Sequence, residues 1–426
     1  MFTKQKQEMR GYLSMLSFLV VIFTCRASAY PDQLKIALIT DIHFLSPQLV
    51  CKGDALYAYE EATGRNVGDL HEVLNKVVDE LKDVAPDILL IAGDITNNGE
   101  QQSHIDFIDK LKPLQDEGTR VFVIPGNHDV NVPDAKAYKG MDPTPVKSVS
   151  RKEFAELYAL FGYGGALKRD DVSLSYLAEI NETTWLLCLD TNRYDESSKS
   201  SITGGTIRTQ TLDWALDIVR EAREKNIRIL GMMHHGLVEH FPYQAAFFPN
   251  YLVKDWQKNA DLLADAGLNV VFTGHFHSND ITLRVSSAGN TIYDVETASL
   301  AQYPFAYRIM LLTNKNLSID TRFISSVPGN PFLDKEYRQK LERITRRVVF
   351  GRLNRIGLTM SCEMKQTITD LIVKMNLLHV RGDEMPDMEM MTAVRDFAIL
   401  MEGEADINSF AFDFPPEDNN VVIELF

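Results

Sequence analysis

Residues of the types that bind metal ions occur in five separate segments of this sequence. Each segment contributes a carboxylate, an amide or an imidazole group. In chain order they are Asp41, His43, Asp94, Asn127, His128, His234, His275 and His277. Carboxylates combined with neutral imidazoles suit Mn, Fe or Zn, whereas a Mg or Ca site would not be expected to recruit so many histidines. The set therefore indicates a transition-metal site.

Each of these segments is a weak signal when it is taken singly. An Asp-x-His pair such as Asp41 and His43 is more often part of a turn than a pair of ligands. Asn127 could equally cap a helix, and the segment from His275 to His277 could be a surface turn. Their occurrence together, each directly after an apolar run, is what makes a chance arrangement improbable.

The elements that must position these residues are short apolar runs, each predicted to be a buried strand. The runs are residues 34–40, 88–92, 121–124, 185–189, 227–233 and 269–273. Amphipathic helices are predicted between several of them, at residues 69–84, 101–114, 211–225 and 255–266. This alternation is typical of α/β layers, in which side chains at the carboxyl ends of neighbouring strands converge on one crevice. The sequence therefore predicts an α/β fold with one shared site.

The pattern changes in the last third of the chain. Closely spaced strands, which suggest antiparallel pairing, are predicted at residues 281–285, 291–295, 307–312 and 317–323. Two prolines around a glycine at residues 327–331 indicate a linker. Helices are predicted beyond it, at residues 335–355, 363–377 and 388–402. We therefore expect a catalytic domain at residues 30–326 and a small C-terminal helical module at residues 332–426.

The first 29 residues are predicted to be an export signal. They include basic Lys4 and Arg10, then an apolar run, then Ala27 and Ala29 in the A-x-A pattern of a cleavage site. The run is shorter than the roughly 20 apolar residues that span a bilayer. Association with a membrane through a lipid on Cys25 is an alternative. We expect an exported protein, whether periplasmic, at the cell surface or secreted.

Composition limits the classes of partner. The formal net charge is −15, and binding to nucleic acid polymers would need clustered positive charge to neutralise phosphates. A nucleic acid polymer is therefore not an expected partner. Three cysteines follow the export signal, and no disulfide framework can be read from Cys51, Cys188 and Cys362. The oligomeric state stays open.

The motifs D-x-H, GD, GNHD, H and GHxH, in this order, resemble the calcineurin-like metallophosphoesterase superfamily from residue 34 to about residue 277. The resemblance implies a four-layer α/β/β/α sandwich with a dinuclear metal centre at the strand ends. It assigns one metal to Asp41, His43, Asp94 and His277, and the other to Asp94, Asn127, His234 and His275. Asp94 would bridge the two ions. His234 is preferred over His235 because the family usually uses the first histidine of such a pair.

The chemistry of such a centre follows from its metals. Two divalent or trivalent ions, Mn, Fe or Zn, held about 3.5–4 Å apart would acidify a bridging water to hydroxide, the expected nucleophile. His128 is not a ligand in the family. It would lie over the phosphorus and stabilise the transferring group or protonate the leaving oxygen. The alternative is a structural hydrogen bond.

Departures from the family's patterns narrow the substrate class. Serine/threonine phosphatases of the superfamily carry Asp-Arg where this chain has Asn97 and Asn98. The phosphate-binding arginine is thus missing there, and Asn97 would have to replace the carboxylate that orients His128. Purple acid phosphatases place a tyrosine ligand at the position of Asn97. The remaining resemblance is to class III cyclic-nucleotide phosphodiesterases, which implies a small phosphodiester substrate.

An aromatic segment follows the strand that ends at His234. Its aromatic residues are Phe241, Tyr243, Phe247, Phe248 and Tyr251. Such rings could stack on a nucleobase, or they could pack the segment onto the body. A phosphomonoesterase and a sphingomyelinase-like lipid phosphodiesterase are the alternative enzymes. A surface binding protein with a vestigial metal site is disfavoured because decay usually removes at least one ligand.

Overall fold

The computed structural model describes residues 33–196, 199–241, 244–355, 360–385, 387–393, 395 and 417–425. The export signal predicted at residues 1–29 lies outside this part of the chain, as do Cys25, Tyr243 and most of the second half of the helix predicted at residues 388–402. Within the described residues, no helix carries an apolar stretch long enough to cross a bilayer.

Two large β-sheets contain most of the strands. In chain order the strands are β1 (Leu34–Ile39), β2 (Ile88–Ile91), β3 (Arg120–Val123), β4 (Lys136–Ala137), β5 (Thr144–Pro145), β6 (Lys168–Arg169), β7 (Tyr176–Asn181), β8 (Thr184–Leu189), β9 (Arg228–Met233), β10 (Val270–Thr273), β11 (Asp280–Val285), β12 (Thr291–Glu296), β13 (Ala306–Leu312), β14 (Asn316–Phe323) and β15 (Asn420–Glu424). The first sheet has the order β15-β14-β13-β1-β2-β3, and the second has the order β11-β12-β10-β9-β8-β7-β6. Strands β4 and β5 form a separate pair.

Each large sheet combines parallel and antiparallel strands. Strands β1, β2 and β3 run parallel to one another, with Leu38 opposite Leu90, and β13 is antiparallel to β1. In the second sheet β8, β9, β10 and β12 are parallel neighbours, flanked by antiparallel β7 and β11. Parallel strands are buried on both faces and are therefore apolar throughout, as in the fully buried β2.

Several of the helices pack against the outer faces of the sheets. The helices are α1 (Asp54–Thr63), α2 (Val67–Val84), α3 (Gln101–Asp116), α4 (Arg151–Leu157), α5 (Thr209–Glu224), α6 (Gln244–Phe247), α7 (Trp256–Ala266), α8 (Leu333–Arg355) and α9 (Cys362–His379). Helix α2 begins where the side chain of Asn66 accepts a hydrogen bond from Asp69 N, and it buries Leu70, Leu74 and Leu81 on one face. Spacings of three and four residues place these side chains in one stripe.

Alternate residues of the second sheet belong to two different hydrophobic cores. Leu186 and Met232 lie in the core that contains β1, β2, β3 and the buried faces of α2 and α3. Their neighbours Leu187 and Met233 lie in a second core with α5 and α7. The layers are therefore helices, first sheet, second sheet and helices. This arrangement confirms the predicted four-layer α/β/β/α architecture.

The C-terminal region contributes to the same core. Leu333 and Tyr337 of α8, and Val380 directly after α9, are buried in the central core. Strand β15 extends the first sheet by pairing with β14. The sequence analysis expected only helices beyond residue 332, so this strand was not predicted. Strand β7, which pairs with β8, was also not predicted.

Candidate metal centre

The strand ends bring the candidate ligands together. Strands β1 and β2 lead into the loops of Asp41, His43 and Asp94, and β3 leads into the loop of Asn127. Strands β9 and β10 end just before the histidine loops. Within two groups, candidate ligand atoms lie no more than 4.8 Å apart. The groups are Asp41, His43 and His277, and Asp94, His234 and His275.

The first group contains a buried imidazole that makes no hydrogen bond to the described residues. His43 is 2% exposed, and neither of its ring nitrogens has a hydrogen-bond partner among the described residues. A buried polar group without a partner costs about 1–3 kcal/mol. His277 Nε2 lies 3.0 Å from Asp41 Oδ1. A metal ion between these side chains would satisfy His43, so the residues present fit the ion that the sequence indicates.

The second group has fixed tautomers. The ring nitrogen Nδ1 of His234 lies 2.8 Å from the carbonyl oxygen of Ala92, and Nε2 of His275 lies 3.2 Å from that of Asn250. A carbonyl oxygen can only accept, so these nitrogens carry the protons. The opposite nitrogens, His234 Nε2 and His275 Nδ1, face each other 3.1 Å apart. Once these nitrogens are deprotonated, their lone pairs can bind one ion, the arrangement that outer hydrogen bonds give to metal-binding histidines.

Asp94 lies between the two groups. Its Oδ2 is 3.7 Å from His43 Nε2 and 3.4 Å from His234 Nε2. Burial favours the neutral carboxyl, but His234 and the neighbouring His128 outweigh burial and hold the pKa of Asp94 well below its usual value. The carboxylate is therefore ionised and within reach of ligands from both groups. Its role as a bridge stays a prediction.

Contacts place Asn127 beside the second group and distinguish His234 from the adjacent His235. The side-chain oxygen of Asn127 lies 3.3 Å from His234 Nε2, beside the second group. His235 uses both ring nitrogens elsewhere, with Nδ1 2.7 Å from Thr191 Oγ1 and Nε2 3.0 Å from the carbonyl oxygen of Thr203. His234 is the histidine that faces the other candidate ligands.

The backbone at the candidate ligands is strained. Among the described residues, eleven that are not glycine have positive φ, and five of them are candidate ligands: Asp41, His43, Asp94, His275 and His277. This conformation costs about 1–3 kcal/mol per residue and persists where the surrounding structure imposes it, often at functional sites. The strain is thus concentrated in the loops that carry the site.

Two glycines allow the loops to approach one another. A Cβ atom at Gly126 would lie 2.2 Å from Asp94 Oδ1, and one at Gly274 would lie 2.2 Å from Thr40 Oγ1. Both distances are well below van der Waals contact. Glycine is therefore required at these positions for Asp94 and Asp41 to reach the site.

His128 lies beside the first group, with its ring centroid 5.1 Å from that of His43. Its Nδ1 is 2.8 Å from Asn98 Oδ1. The sequence analysis suggested Asn97 as the group that orients His128. The structure instead gives Asn98 this contact, because the Asn97 side chain accepts a hydrogen bond of 2.6 Å from the Tyr59 hydroxyl.

Arg65 is a neighbour of the site that the sequence analysis missed. It lies in the loop between α1 and α2, beside Tyr59. Burial lowers the pKa of His43, and the Arg65 guanidinium lowers it further. Burial likewise lowers the pKa of His128, with Arg65 contributing to the shift against the opposing charge of Asp94. No local motif marks this arginine, which only the packing of α1 brings to the site.

An aromatic cluster adjoins His275. The Tyr251 ring centroid lies 5.0 Å from that of His275 and 4.8 Å from that of Phe276. Phe248 contacts both Tyr251 and Phe276, and all three of these aromatic side chains are half-buried. Arg352 of α8 lies over Phe248, 5.5 Å from the ring centroid. The C-terminal region therefore reaches the edge of the candidate site.

Residues 34–279 match the model of the calcineurin-like phosphoesterase family. This range contains both groups of candidate ligands. No curated protein matches the chain.

Several solved structures are similar to this one. A dimetal phosphatase from Danio rerio is 14% identical, with a TM-score of 0.48 over 68% of this chain and 96% of that protein. A putative 5′-nucleotidase from Staphylococcus aureus, solved with alpha-ketoglutarate, is 12% identical, with a TM-score of 0.39 over 73% of this chain and 59% of that protein. GAP50 of Plasmodium, an anchor in the inner membrane complex, is 10% identical, with a TM-score of 0.34 over 68% of this chain and 84% of that protein. Identities this low do not transfer an activity.

Proposed function

Because the chain belongs to the calcineurin-like phosphoesterase family, we propose that it hydrolyses small phosphodiesters, cyclic nucleotides among them. Membership implies a metal-dependent phosphoric ester hydrolase with a dinuclear centre. The candidate ligands of that centre are the two groups around Asp41 and Asp94, with Asn127 beside the second group. When bound, two ions of Mn, Fe or Zn would supply the charge that activates water and neutralises phosphate.

The observation that carries the choice of a diester is the position of Asn98. Its side-chain oxygen accepts the hydrogen bond from His128 Nδ1, so a neutral amide lies where the related serine/threonine phosphatases place an arginine. A phosphodiester carries one negative charge, whereas a monoester can carry two. The diester therefore requires less positive charge from the protein.

His128 has the position expected of a proton donor. With Nδ1 held by Asn98, Nε2 is the nitrogen left to give a proton to the leaving oxygen. Burial lowers the pKa of His128, which makes its protonated form a stronger acid. A poor leaving group, such as the ribose oxygen of a cyclic nucleotide, would benefit most.

The aromatic cluster supports a substrate that carries a ring. Phe248, Tyr251 and Phe276 are half-buried beside His275, and base stacking on an aromatic side chain contributes about 1–3 kcal/mol. The same rings also pack against one another. A nucleobase would therefore stack on the part of the cluster that stays exposed when the rings pack together.

The deciding experiment compares diester and monoester hydrolysis with added Mn. The substrates are 2′,3′- and 3′,5′-cyclic nucleotides, bis-p-nitrophenyl phosphate and p-nitrophenyl phosphate. We expect a higher kcat/KM for the diesters and loss of activity in Asp94→Asn. A kcat/KM ratio below one for the two nitrophenyl esters, with no cyclic nucleotide cleaved, would contradict the proposal.

Phosphomonoester hydrolysis is the second candidate, and Arg65 is the observation that favours it. Its guanidinium lies near enough to His43 and His128 to depress the pKa of both imidazoles. A positive group there could bind the second negative charge of a monoester. The substrate comparison separates the two candidates directly.

A further inference from the structure

A third group of metal-binding residue types lies outside the catalytic centre. It consists of Asp280 at the start of β11, His379 at the end of α9 and Glu384 in the following loop, with candidate ligand atoms within 4.8 Å of one another. We propose that this group binds a divalent transition-metal ion, which fastens the end of α9 to the second sheet. The proposal is independent of the substrate.

Distances within this group resemble those of the catalytic ligands. His379 Nδ1 lies 2.8 Å from Glu384 Oε1 and 3.4 Å from Asp280 Oδ2. The corresponding catalytic contacts are 3.0 Å between His277 and Asp41 and 3.4 Å between His234 and Asp94. Ligand atoms that surround one ion at about 2.0–2.2 Å are about 3.0–3.6 Å apart. Small side-chain adjustments would therefore suffice for coordination.

Unpartnered oxygen atoms indicate that hydrogen bonding alone does not complete this cluster. Glu384 is 6% exposed, and its Oε2 has no hydrogen-bond partner among the described residues. The nearby Glu296 is fully buried, and among the described residues its Oε2 makes no hydrogen bond, only an ion pair of 3.4 Å with His240 Nε2. A buried carboxylate oxygen without a partner is costly. A cation among these side chains would remove that cost.

The balance of charge also favours a cation. Five acidic residues are buried in this region, namely Asp280, Asp294, Glu296, Glu384 and Asp418. Among the described residues there, positive charge comes from Arg308 and, when protonated, His240 and His379. Were all five carboxylates ionised, the three positive groups would leave a net charge of −2. One divalent ion would balance it.

The pKa values of two of these acids reflect the excess of negative charge. Burial raises the pKa of Glu296 to about 7, and the nearby Asp294 adds to the shift while His240 opposes it. Burial raises the pKa of Asp418 to about 9, and Asp280 and Glu384 add to it. In the absence of a cation, protons on these carboxyl groups must compensate the excess negative charge.

Neighbouring residues hold the three side chains in position. His240 Nδ1 lies 2.7 Å from Asp280 Oδ1, which leaves Oδ2 of the carboxylate for an ion. The His379 ring packs against Phe241 and Phe276, with centroids 5.1 Å and 5.6 Å away. Phe276 separates His275 from His277 in the sequence, so the third group is next to the catalytic loop. Such outer contacts orient metal ligands.

One imidazole and two carboxylates fit Zn or Mn better than Ca or Mg. The ion would compete with a proton, because Glu384 and Asp280 outweigh burial and raise the pKa of His379. Binding should therefore release a proton.

The test measures bound zinc in protein that is stripped with a chelator and re-equilibrated with Zn²⁺. The chains compared are the wild type, Glu384→Gln, His379→Gln with Glu384→Gln, and His71→Gln as a histidine control. His71 lies in α2, bonds to the carbonyl oxygen of Leu45 and belongs to none of the three groups. We expect the double variant to bind one ion fewer than the wild type, and His71→Gln to bind as many.

A second comparison covers the case in which the double variant fails to fold. Asp94→Asn is measured with and without Glu384→Gln, and the added substitution should again remove one ion. Zn²⁺ should also raise the melting temperature of Asp94→Asn more than that of Asp94→Asn with Glu384→Gln. Equal zinc contents in either comparison would overturn the proposal.

Discussion

His128 illustrates at the scale of one residue how local contacts would prepare a side chain for the proton transfer that we propose. Its backbone N donates to Asp94 Oδ1 at 2.8 Å, and its Nδ1 contacts Asn98. The ring is thus fixed relative to the residue that we predict to bridge the metals. An amide oxygen orients the ring without adding the negative charge of a carboxylate. Asn98 would therefore act through His128 as a positioning residue.

Replacing His128 with alanine should separate catalysis from metal binding. We expect His128→Ala to keep its metal and to lose about 10²- to 10⁴-fold in kcat, the usual contribution of a general acid. Asn98→Ala should lose about 10-fold, the equivalent of one hydrogen bond of roughly 1.4 kcal/mol. The measurement is kcat for esters of graded leaving-group pKa, with metal content measured in parallel.

The dependence on the leaving group is the informative readout. The loss in His128→Ala should shrink as the leaving group improves, because p-nitrophenolate needs little protonation. Equal losses for good and poor leaving groups would show that His128 is not the proton donor.

Replacing Arg65 tests whether the positive charge near His43 contributes to substrate binding. We expect Arg65→Ala to lower kcat/KM for p-nitrophenyl phosphate by about 10- to 100-fold, since a charged hydrogen bond contributes about 1.5–3 kcal/mol. The loss for bis-p-nitrophenyl phosphate should be smaller. Arg220→Ala is the matched control, because Arg220 is an exposed arginine paired with Asp217 on α5. Equal losses for both esters would assign Arg65 a structural role instead.

At the scale of elements, the site depends on how closely the loops after β1, β2, β3 and β10 approach. The glycines of these loops are as necessary to the site as the candidate ligands, because a side chain at Gly126 or Gly274 would overlap the neighbouring loop. The GNHD and GHxH motifs therefore combine a ligand with the glycine that lets it enter the site. This pairing explains why the motifs are informative although single histidines are not.

Gly274→Ala should therefore damage the centre without removing a ligand. The added Cβ would lie 2.5 Å from Asp41 Oδ2, so either the loop or the carboxylate must shift. We expect a loss of about 1–3 kcal/mol in the free energy of unfolding, together with weaker metal retention. Gly165→Ala is the control, because nothing lies within 4 Å of its Cβ position. Metal retention equal to wild type in Gly274→Ala would refute this account, and both variants can be compared by chemical denaturation.

The sequence predicted the central strands and their polar ends because local patterns encode both. Parallel interior strands are apolar on both faces, and the candidate ligands follow them directly. Local sequence patterns could not show which distant segments of the chain pair with each other. Strand β15 lies about a hundred residues from its partner β14. Arg65 and the group formed by Asp280, His379 and Glu384 likewise depend on contacts between distant segments.

At the scale of the whole molecule, net charge restricts which substrates can approach. The chain carries −15, so long polyanions are repelled before any local contact forms. A small diester presents one charge and is much less affected. We therefore expect the electrostatic field to favour mononucleotides over polymers even if the chemistry at phosphorus is the same.

Polynucleotides should therefore be poor substrates, and the effect of salt should reveal the cause. Proteins that bind nucleic acid through positive charge lose affinity steeply between about 50 mM and 200 mM salt. Here salt should instead screen the repulsion between the acidic protein and the RNA. Any slow cleavage of single-stranded RNA should therefore become faster with salt over this range. Hydrolysis of 2′,3′-cyclic AMP should change little. The comparison uses initial rates for both substrates at equal concentrations of phosphodiester bonds. Cleavage of RNA that is faster than that of the cyclic nucleotide at low salt, and that is inhibited by added salt, would contradict the prediction. Such a result would require a local positive surface that outweighs the net charge.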